Sequence, residues 1–338
     1  MKSYYNFYNI LKLYKSIKST RVKAIGLIAS SILGFRHLSL RIDPALSCNL
    51  FCQMCYFSDS EKRKSLKGQL NTEQLNQIAK IFYPKAFQLV LGCGAEPTIN
   101  RDFMQAIRLA KQYKIPNISI VTNGLLLRDS HIKEMIELEM DEIILSAHGL
   151  AKPNYEKFMV NGHFEKFVEL LAKFSKYKNE LGASKPQIRI NYTVNEDNIE
   201  DLYSFKEFAT LYQFDTIQVR PIMDIGGKYK KLLPLNLKDK YNNILDEIKN
   251  TCHQKNIKLL ANRIDFSYME KNKDAYLIDS VYTYLSPNTE SELGIDFNKS
   301  SITQYKKSIK WYKSILLGII KKRDGSKNAD RFLKYDIE

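Results

Sequence analysis

Between residues 36 and 225, short apolar-rich runs alternate with longer stretches in which apolar residues recur every three or four positions. The short runs, at 37–43, 87–92, 118–122, 142–147, 188–194 and 216–221, are rich in the β-branched and aromatic residues that suit a pleated sheet. The longer stretches, at 72–82, 101–113, 130–138, 164–178 and 199–212, have the spacing that gives a helix one apolar face. Strand and helix in alternation imply parallel strands joined by crossovers. The pattern therefore predicts an α/β fold, a partial (β/α)6 TIM-like barrel over 36–225. A basic amphipathic extension precedes it over 1–35. A helical extension follows over 226–338, entered through a hinge at 224–227, with its clearest helix at 236–256.

Composition fits one barrel of ordinary globular make-up, with 44% apolar and 26% charged residues in 338. Charge changes the picture. The formal net charge is +15, and residues 1–42 hold Lys2, Lys12, Lys15, Lys18, Arg21 and Lys23 without a single acid. The apolar run at 24–35 falls short of the roughly 20 residues needed to span a bilayer. Near the other end, Lys306, Lys307, Lys310, Lys313, Lys321, Lys322 and Arg323 flank Ile309, Trp311, Ile315 and Leu316, as in a basic amphipathic helix. Two readings stand: a helix capping the barrel with solvated lysines, or peripheral contact with an anionic membrane surface at its inner face. No nucleic-acid recognition module is visible, so no specific nucleic acid is expected. No cleavable secretory signal is evident, and a reducing cytoplasm is the expected compartment.

Of five cysteines, Cys48, Cys52 and Cys55 form a C-x3-C-x2-C run. Three thiolates so spaced can hold three irons of a cubane and leave the fourth for an outside ligand, whereas a cluster that only carries electrons normally takes four cysteines. Structural zinc also takes four ligands, and no fourth lies nearby in the sequence, so the spacing favours a cluster over zinc. Disulfides are not expected, because Cys93 and Cys252 are isolated. The remaining candidates fall on or just after the strands, whose C-terminal ends collect the reactive groups of parallel barrels. Gly92-Cys93-Gly94-Ala95-Glu96-Pro97 follows the second strand, Asn123-Gly124 the third and Ser146-Ala147-His148-Gly149 the fourth; Arg189 and Asn191 lie on the fifth and Arg220 on the sixth.

The cysteine run, with Met54 in its apolar position, resembles the signature of the radical S-adenosylmethionine (radical SAM) enzymes, and the order of motifs over 36–225 agrees. The resemblance implies a [4Fe-4S] cluster on Cys48, Cys52 and Cys55. It further implies reductive cleavage of S-adenosylmethionine to methionine and a 5'-deoxyadenosyl radical, which abstracts hydrogen from a substrate. By the same resemblance Gly94, Ala95 and Glu96 hold the methionine amino group, Asn123 borders the nucleoside, Ser146 approaches the ribose or methionine end, and Asn191 belongs to the family's Asn-containing strand. The chain departs from the pattern at Ala95, which replaces a glycine, and at His148, which replaces an acid and takes that acid's place among the expected S-adenosylmethionine-binding residues. Met159 stands where many relatives carry an arginine for the methionine carboxylate, a role open to Lys157 or Arg189. Candidates for substrate chemistry are Cys93 as a thiol hydrogen donor, His148 and Arg220. The chemistry calls for a reductant such as flavodoxin or ferredoxin. The substrate is unknown, an envelope- or lipid-associated molecule being one guess. The alternatives are a peptide-modifying maturase and a membrane-peripheral iron-sulfur protein without turnover.

Overall fold

In this computed structural model, which describes residues 16–223, 225–231, 233–261, 263 and 275–320, eight strands form one all-parallel sheet. They are β1 Leu38–Ile42, β2 Ala86–Leu91, β3 Asn117–Thr122, β4 Glu142–Ala147, β5 Gln187–Val194, β6 Thr216–Pro221, β7 Lys258–Ala261 and β8 Tyr282–Leu285. The order is β7-β6-β5-β4-β3-β2-β1-β8, and the sheet does not close. The six expected strands are all present, with ends shifted by a residue at most. Helices α1 Thr20–Ile32, α2 Ser60–Ser65, α3 Thr72–Phe82, α4 Phe103–Gln112, α5 Asp129–Glu137, α6 Lys152–Phe158, α7 Phe164–Glu180 and α8 Phe205–Leu211 precede or connect these strands.

Local sequence explains the crossovers. Helix α3 opens with a reciprocal cap, Asn71 Oδ1 accepting from the Gln74 amide at 2.9 Å while Gln74 Oε1 accepts from the Asn71 amide at 3.0 Å. It then buries Leu75, Ile78, Ala79 and Phe82 on one face. Helix α7 does the same with Phe167, Leu170, Leu171 and Phe174.

The sheet's two faces differ in chemistry. On β5, Ile188, Ile190, Tyr192 and Val194 enter the main apolar core, while Arg189, Asn191 and Thr193 alternate to the other side. The register places Ser146 beside Asn191 and Asn191 beside Gln218 in one row. The next row, toward the C-terminal ends, pairs Thr193 with Arg220. Lower on this polar face Ser39 Oγ donates to Gln88 at 2.7 Å, Gln88 donates to Asn117 at 3.0 Å, and Arg189 pairs with Glu142 and Gln218.

The C-terminal extension departs from the expected all-helical form. Besides α9 Lys238–Lys255, α10 Ala275–Val281, α11 Thr289–Leu293, α12 Ile302–Ser308 and α13 Trp311–Ile320, it supplies β7 and β8, one to each edge of the sheet. Four-residue strands are too short to show a period, which is why the sequence concealed them. The basic amphipathic helix is also two helices, broken where Lys310 takes φ 53°. Hinge residue Asp224 and the basic residues at 1–15 and 321–323 lie outside the described residues.

Leu145 is fully buried in central strand β4 and Leu211 is 63% exposed. Leu145→Ala is expected to lower stability to urea by about 2–5 kcal/mol, and Leu211→Ala by no more than about 0.5 kcal/mol.

Candidate functional site

Strand β1 runs directly into the cysteine loop, so the loop sits at the C-terminal end of the sheet, beside the loops that leave β2 and β3. The three thiols are half-buried and close enough that negative charge on one opposes charge on another. Burial pushes the Cys48 thiol up to about 12 and raises Cys52 and Cys55 as well. Bare thiolates are therefore disfavoured here, and a bound cationic metal centre would supply the missing stabilisation. Among the described residues no three His, Cys, Asp or Glu side chains converge closely enough for one metal ion. The donor set of three thiols on one loop fits a larger iron-sulfur group.

Four side chains outside the motif hold this loop. Arg63 on α2 donates to the carbonyls of Cys48 and, at 2.9 Å, Leu50, and its guanidinium lies 3.8 Å over the Phe51 ring. Asn123 donates to Asn49 Oδ1 at 2.8 Å. Asn195, after β5, donates to Met54 Sδ at 3.1 Å, and Tyr229 donates its hydroxyl to Asn195 Oδ1 at 2.9 Å. The segment around Tyr229 crosses the loop so closely that a Cβ on Gly227 would lie 2.6 Å from the Met54 backbone.

The loop after β2 is ordered by two buried carboxylates. Asp43 accepts from the amides of Cys93 at 2.6 Å and Gly94 at 3.0 Å and from the Tyr284 hydroxyl at 2.8 Å. Desolvation raises its pKa, and the backbone amides and Tyr284 partly oppose the rise. Glu96 is also buried: Oε1 accepts from Thr98 Oγ1 and Thr122 Oγ1, both at 2.6 Å, and Oε2 accepts from the Asn123 amide at 2.8 Å. Glu96 thus welds the β2 loop to the end of β3, and Oε2 keeps acceptor capacity. The Gly94 carbonyl accepts from the Tyr56 hydroxyl. A Cβ on Gly94 would stand 2.5 Å from that hydroxyl, so a larger residue would have to displace the Tyr56 ring. Ala95 fits its position with a φ outside the left-handed region.

Ser146, Asn191, His148 and Arg220 lie on the polar face of the sheet, as their register and spacing require. Asn191 Oδ1 and His148 Nδ1 are buried with no hydrogen-bond partner, the kind of orphaned polar atoms that a bound ligand satisfies. Burial, with the Arg220 charge adding to it, lowers His148 to about 4, so the ring is neutral near pH 7. Cys93 is exposed to solvent, and its thiol is pushed up to about 12 by the protein around it, with Arg41 opposing the rise. Arg41 stacks 4.8 Å over Tyr282 of β8.

Met159 is fully buried, and Arg189 is committed to Glu142 lower on the sheet. Lys157 lies 5.1 Å over the Phe158 ring. Sequence reasoning missed Arg63, Asp43, Tyr284, Asn195 and Tyr229. Asp43 carried a signal, a lone acid closing an apolar strand just before the cysteines. Tyr284 carried none, because its strand was illegible. Asp201, also missed, fixes the turn after His148 by accepting from Leu150 at 2.5 Å, Ala151 at 3.2 Å and Asn154 at 3.0 Å.

Residues 43–205 match the family model described as the Radical SAM superfamily. A probable GTP 3',8-cyclase of Saccharolobus solfataricus is 25% identical over 250 residues, covering 73% of this chain and 75% of that protein. One of Sulfurisphaera tokodaii is 26% identical over 187 residues, covering 55% of this chain and 56% of its own length. The chain thus spans three quarters of the first relative and little more than half of the second. Among solved structures, Streptococcus suis SuiB bound to S-adenosylmethionine superposes with a TM-score of 0.56 at 18% identity, over 85% of this chain and 65% of that one. Native anSMEcpe with bound AdoMet and Cp18Cys peptide superposes with a TM-score of 0.52 at 22% identity, over 65% of this chain and 62% of that one. These superpositions establish the fold.

Because folded His148 resists protonation until about pH 4 while an unfolded histidine titrates near 6.5, the unfolded chain takes up the proton first as pH falls. Stability should therefore drop between pH 6.5 and 4, and His148→Gln should flatten part of that drop. Urea midpoints across the range check it; parallel profiles for the two proteins would contradict it.

Proposed function

Because the chain belongs to the radical SAM superfamily, whose members use S-adenosylmethionine and a [4Fe-4S] cluster, we propose that it abstracts hydrogen from a polar substrate held on the polar face of its sheet. Cys48, Cys52 and Cys55 would hold the cluster, and Gly94, Ala95, Glu96, Asn123, Ser146 and Asn191 would line the S-adenosylmethionine site. When bound, these groups supply a one-electron cleavage that yields methionine and a 5'-deoxyadenosyl radical. The observation that carries the reading is the joining of the cysteine loop to the loops after β2 and β3 through Asn123, which bonds Asn49 with its side chain and Glu96 with its amide.

The chain's own groups position and shield. Arg63 braces the loop backbone and places positive charge beside Cys48 and Cys55, favouring their thiolates. Asp43 and Tyr56 fix the Gly92–Pro97 loop before any ligand arrives, so little ordering is left for binding to impose. Glu96 Oε2 can accept from an ammonium without giving up its bond from Asn123. Neutral His148 can accept a hydrogen bond through one ring nitrogen, a capacity that protonation would remove.

We propose further that the substrate carries an anionic group. Arg41 and Arg220 stand on the polar face, and the curated relatives are named for a reaction of GTP. A polar face suits such a molecule better than an acyl chain. We keep an electron carrier of the flavodoxin or ferredoxin kind as the expected reductant.

Anaerobic reconstitution followed by dithionite reduction tests the reading. About four irons with matching sulfide per chain are expected, with 5'-deoxyadenosine formed in the presence or absence of GTP. The Cys48→Ala, Cys52→Ala, Cys55→Ala variant should lose both iron and product. Zinc in place of iron, or a loaded cluster that never yields the nucleoside, would count against the proposal.

A further inference from the structure

Helices α1 and α13 pack side by side. Ala24, Leu27 and Ile28 of α1 close on Trp311 and Ile315 of α13 and on Leu277 of α10. The Ser31 and Tyr312 hydroxyls lie 2.8 Å apart. Beneath them Lys306 is buried, its ammonium 2.5 Å from Ser31 Oγ and 2.6 Å from His37 Nε2. The two helices therefore present one fixed surface rather than two separate elements.

Its outer side is apolar. Val22, Ile25 and Leu33 are 55, 61 and 68% exposed, and Leu316 and Ile320 are 50 and 77% exposed. Spacings of three and eight residues put Val22, Ile25 and the C-cap residue Leu33 on one side of α1, and a spacing of four does the same for Leu316 and Ile320 on α13, so within each helix the exposure is a stripe. Contiguous apolar surface with a polar rim marks an interaction site.

Charge identifies the partner. Residues 1–42 and 297–323 hold 16 of the chain's 52 Lys and Arg and none of its 37 Asp and Glu, so the remaining 36 bases and 37 acids nearly cancel. Almost the whole positive excess therefore lies in the two stretches of sequence from which α1 and α13 come. Exposed Arg21 lies on α1, exposed Lys313 on α13, and exposed Lys307 and Lys310 just before α13. Two copies meeting through it would oppose like charges.

We propose that the α1–α13 surface docks the protein on an anionic lipid bilayer, with the apolar stripe in the headgroup boundary and the basic rim on the headgroups. Among the described residues no helix is long and apolar enough to cross a membrane, so the contact is interfacial. Helix α1 leads into the N-terminal start of β1, whereas the cysteine loop leaves its C-terminal end. The docked protein consequently turns its cysteine loop away from the lipid.

The test is co-sedimentation of the full chain with phosphatidylcholine vesicles, with and without phosphatidylglycerol, at low and high salt. It needs neither cluster nor turnover, so its outcome is separate from that of the proposed activity. Binding is expected to be at least about tenfold tighter to the anionic vesicles and to weaken with salt. Ile25→Glu with Leu316→Glu should cost about tenfold or more, while Trp311, the single tryptophan and buried, reports through its fluorescence that the helices still pack. Should that signal change, Lys310→Gln with Lys313→Gln, which leaves the apolar stripe intact, should reduce the salt dependence. The proposal is overturned by absent binding at low salt, by undiminished binding of a folded Ile25→Glu, Leu316→Glu protein, or by an unchanged salt dependence in the lysine variant. Self-association without vesicles that the glutamates abolish would also overturn it, assigning the surface to a protein interface.

Discussion

A buried carboxylate at the end of β1 sets the geometry on which the site depends. Asp43 is 1% exposed, and a carboxylate taken that far out of water must be met by donors or be neutralised. It recruits the Cys93 and Gly94 amides from the β2 loop and the Tyr284 hydroxyl from β8. The strand that feeds the cysteine loop is thereby tied to both of its neighbours at the level where the site begins. Removing the Asp43 side chain would leave the Cys93 and Gly94 amides and the Tyr284 hydroxyl short of their acceptor, so the loop's shape and the acid's presence are coupled.

The cysteine loop has little regular structure of its own, and its order is imposed from outside. Arg63 caps carbonyls that lack strand partners, Asn123 reaches across from β3, and Asn195 and Tyr229 close over Met54. Each contact comes from a different βα unit. A loop held this way keeps its three thiols in register only when the whole sheet is assembled, which couples the shape of the thiol loop to global folding.

The repeating units were legible because each one satisfies its local rules without help. The run Ile188-Arg189-Ile190-Asn191-Tyr192-Thr193 alternates apolar and polar side chains as a strand with one buried and one polar face must. Asn71 and Gln74 mark the start of α3 in the sequence itself. The cysteine spacing was equally plain, since three thiols within eight residues have few bland uses. What stayed hidden depended on long-range partners. Strands β7 and β8 are four residues each and are strands because β6 and β1 offer them edges. Arg63 sits on a short polar helix where nothing local separates it from a solvated arginine. The basic C-terminal run read as one amphipathic helix because a backbone reversal at a lysine, φ 53° at Lys310, carries no residue signature of the kind glycine gives.

The direction of a parallel sheet also separates the protein's two kinds of surface. All crossovers return the chain to the same end before each strand, so β1 through β6 deliver their exits, and the cysteine loop with them, to one end. The segments before β1 and β8 are left at the other, and there α1, α10 and α13 gather their own small apolar cluster around Trp311. Buried Lys306 meets Ser31, His37 and the Trp311 and Tyr312 rings, and burial lowers it to about 8. Held in this way, it stitches α12 to α1 and to the start of β1. The same stitch keeps the basic, apolar surface at a fixed distance from the chemistry, about a strand length away at ~3.3 Å per residue. The sheet end facing away from that surface carries Arg220, Asn191 and a neutral His148 imidazole on its polar face.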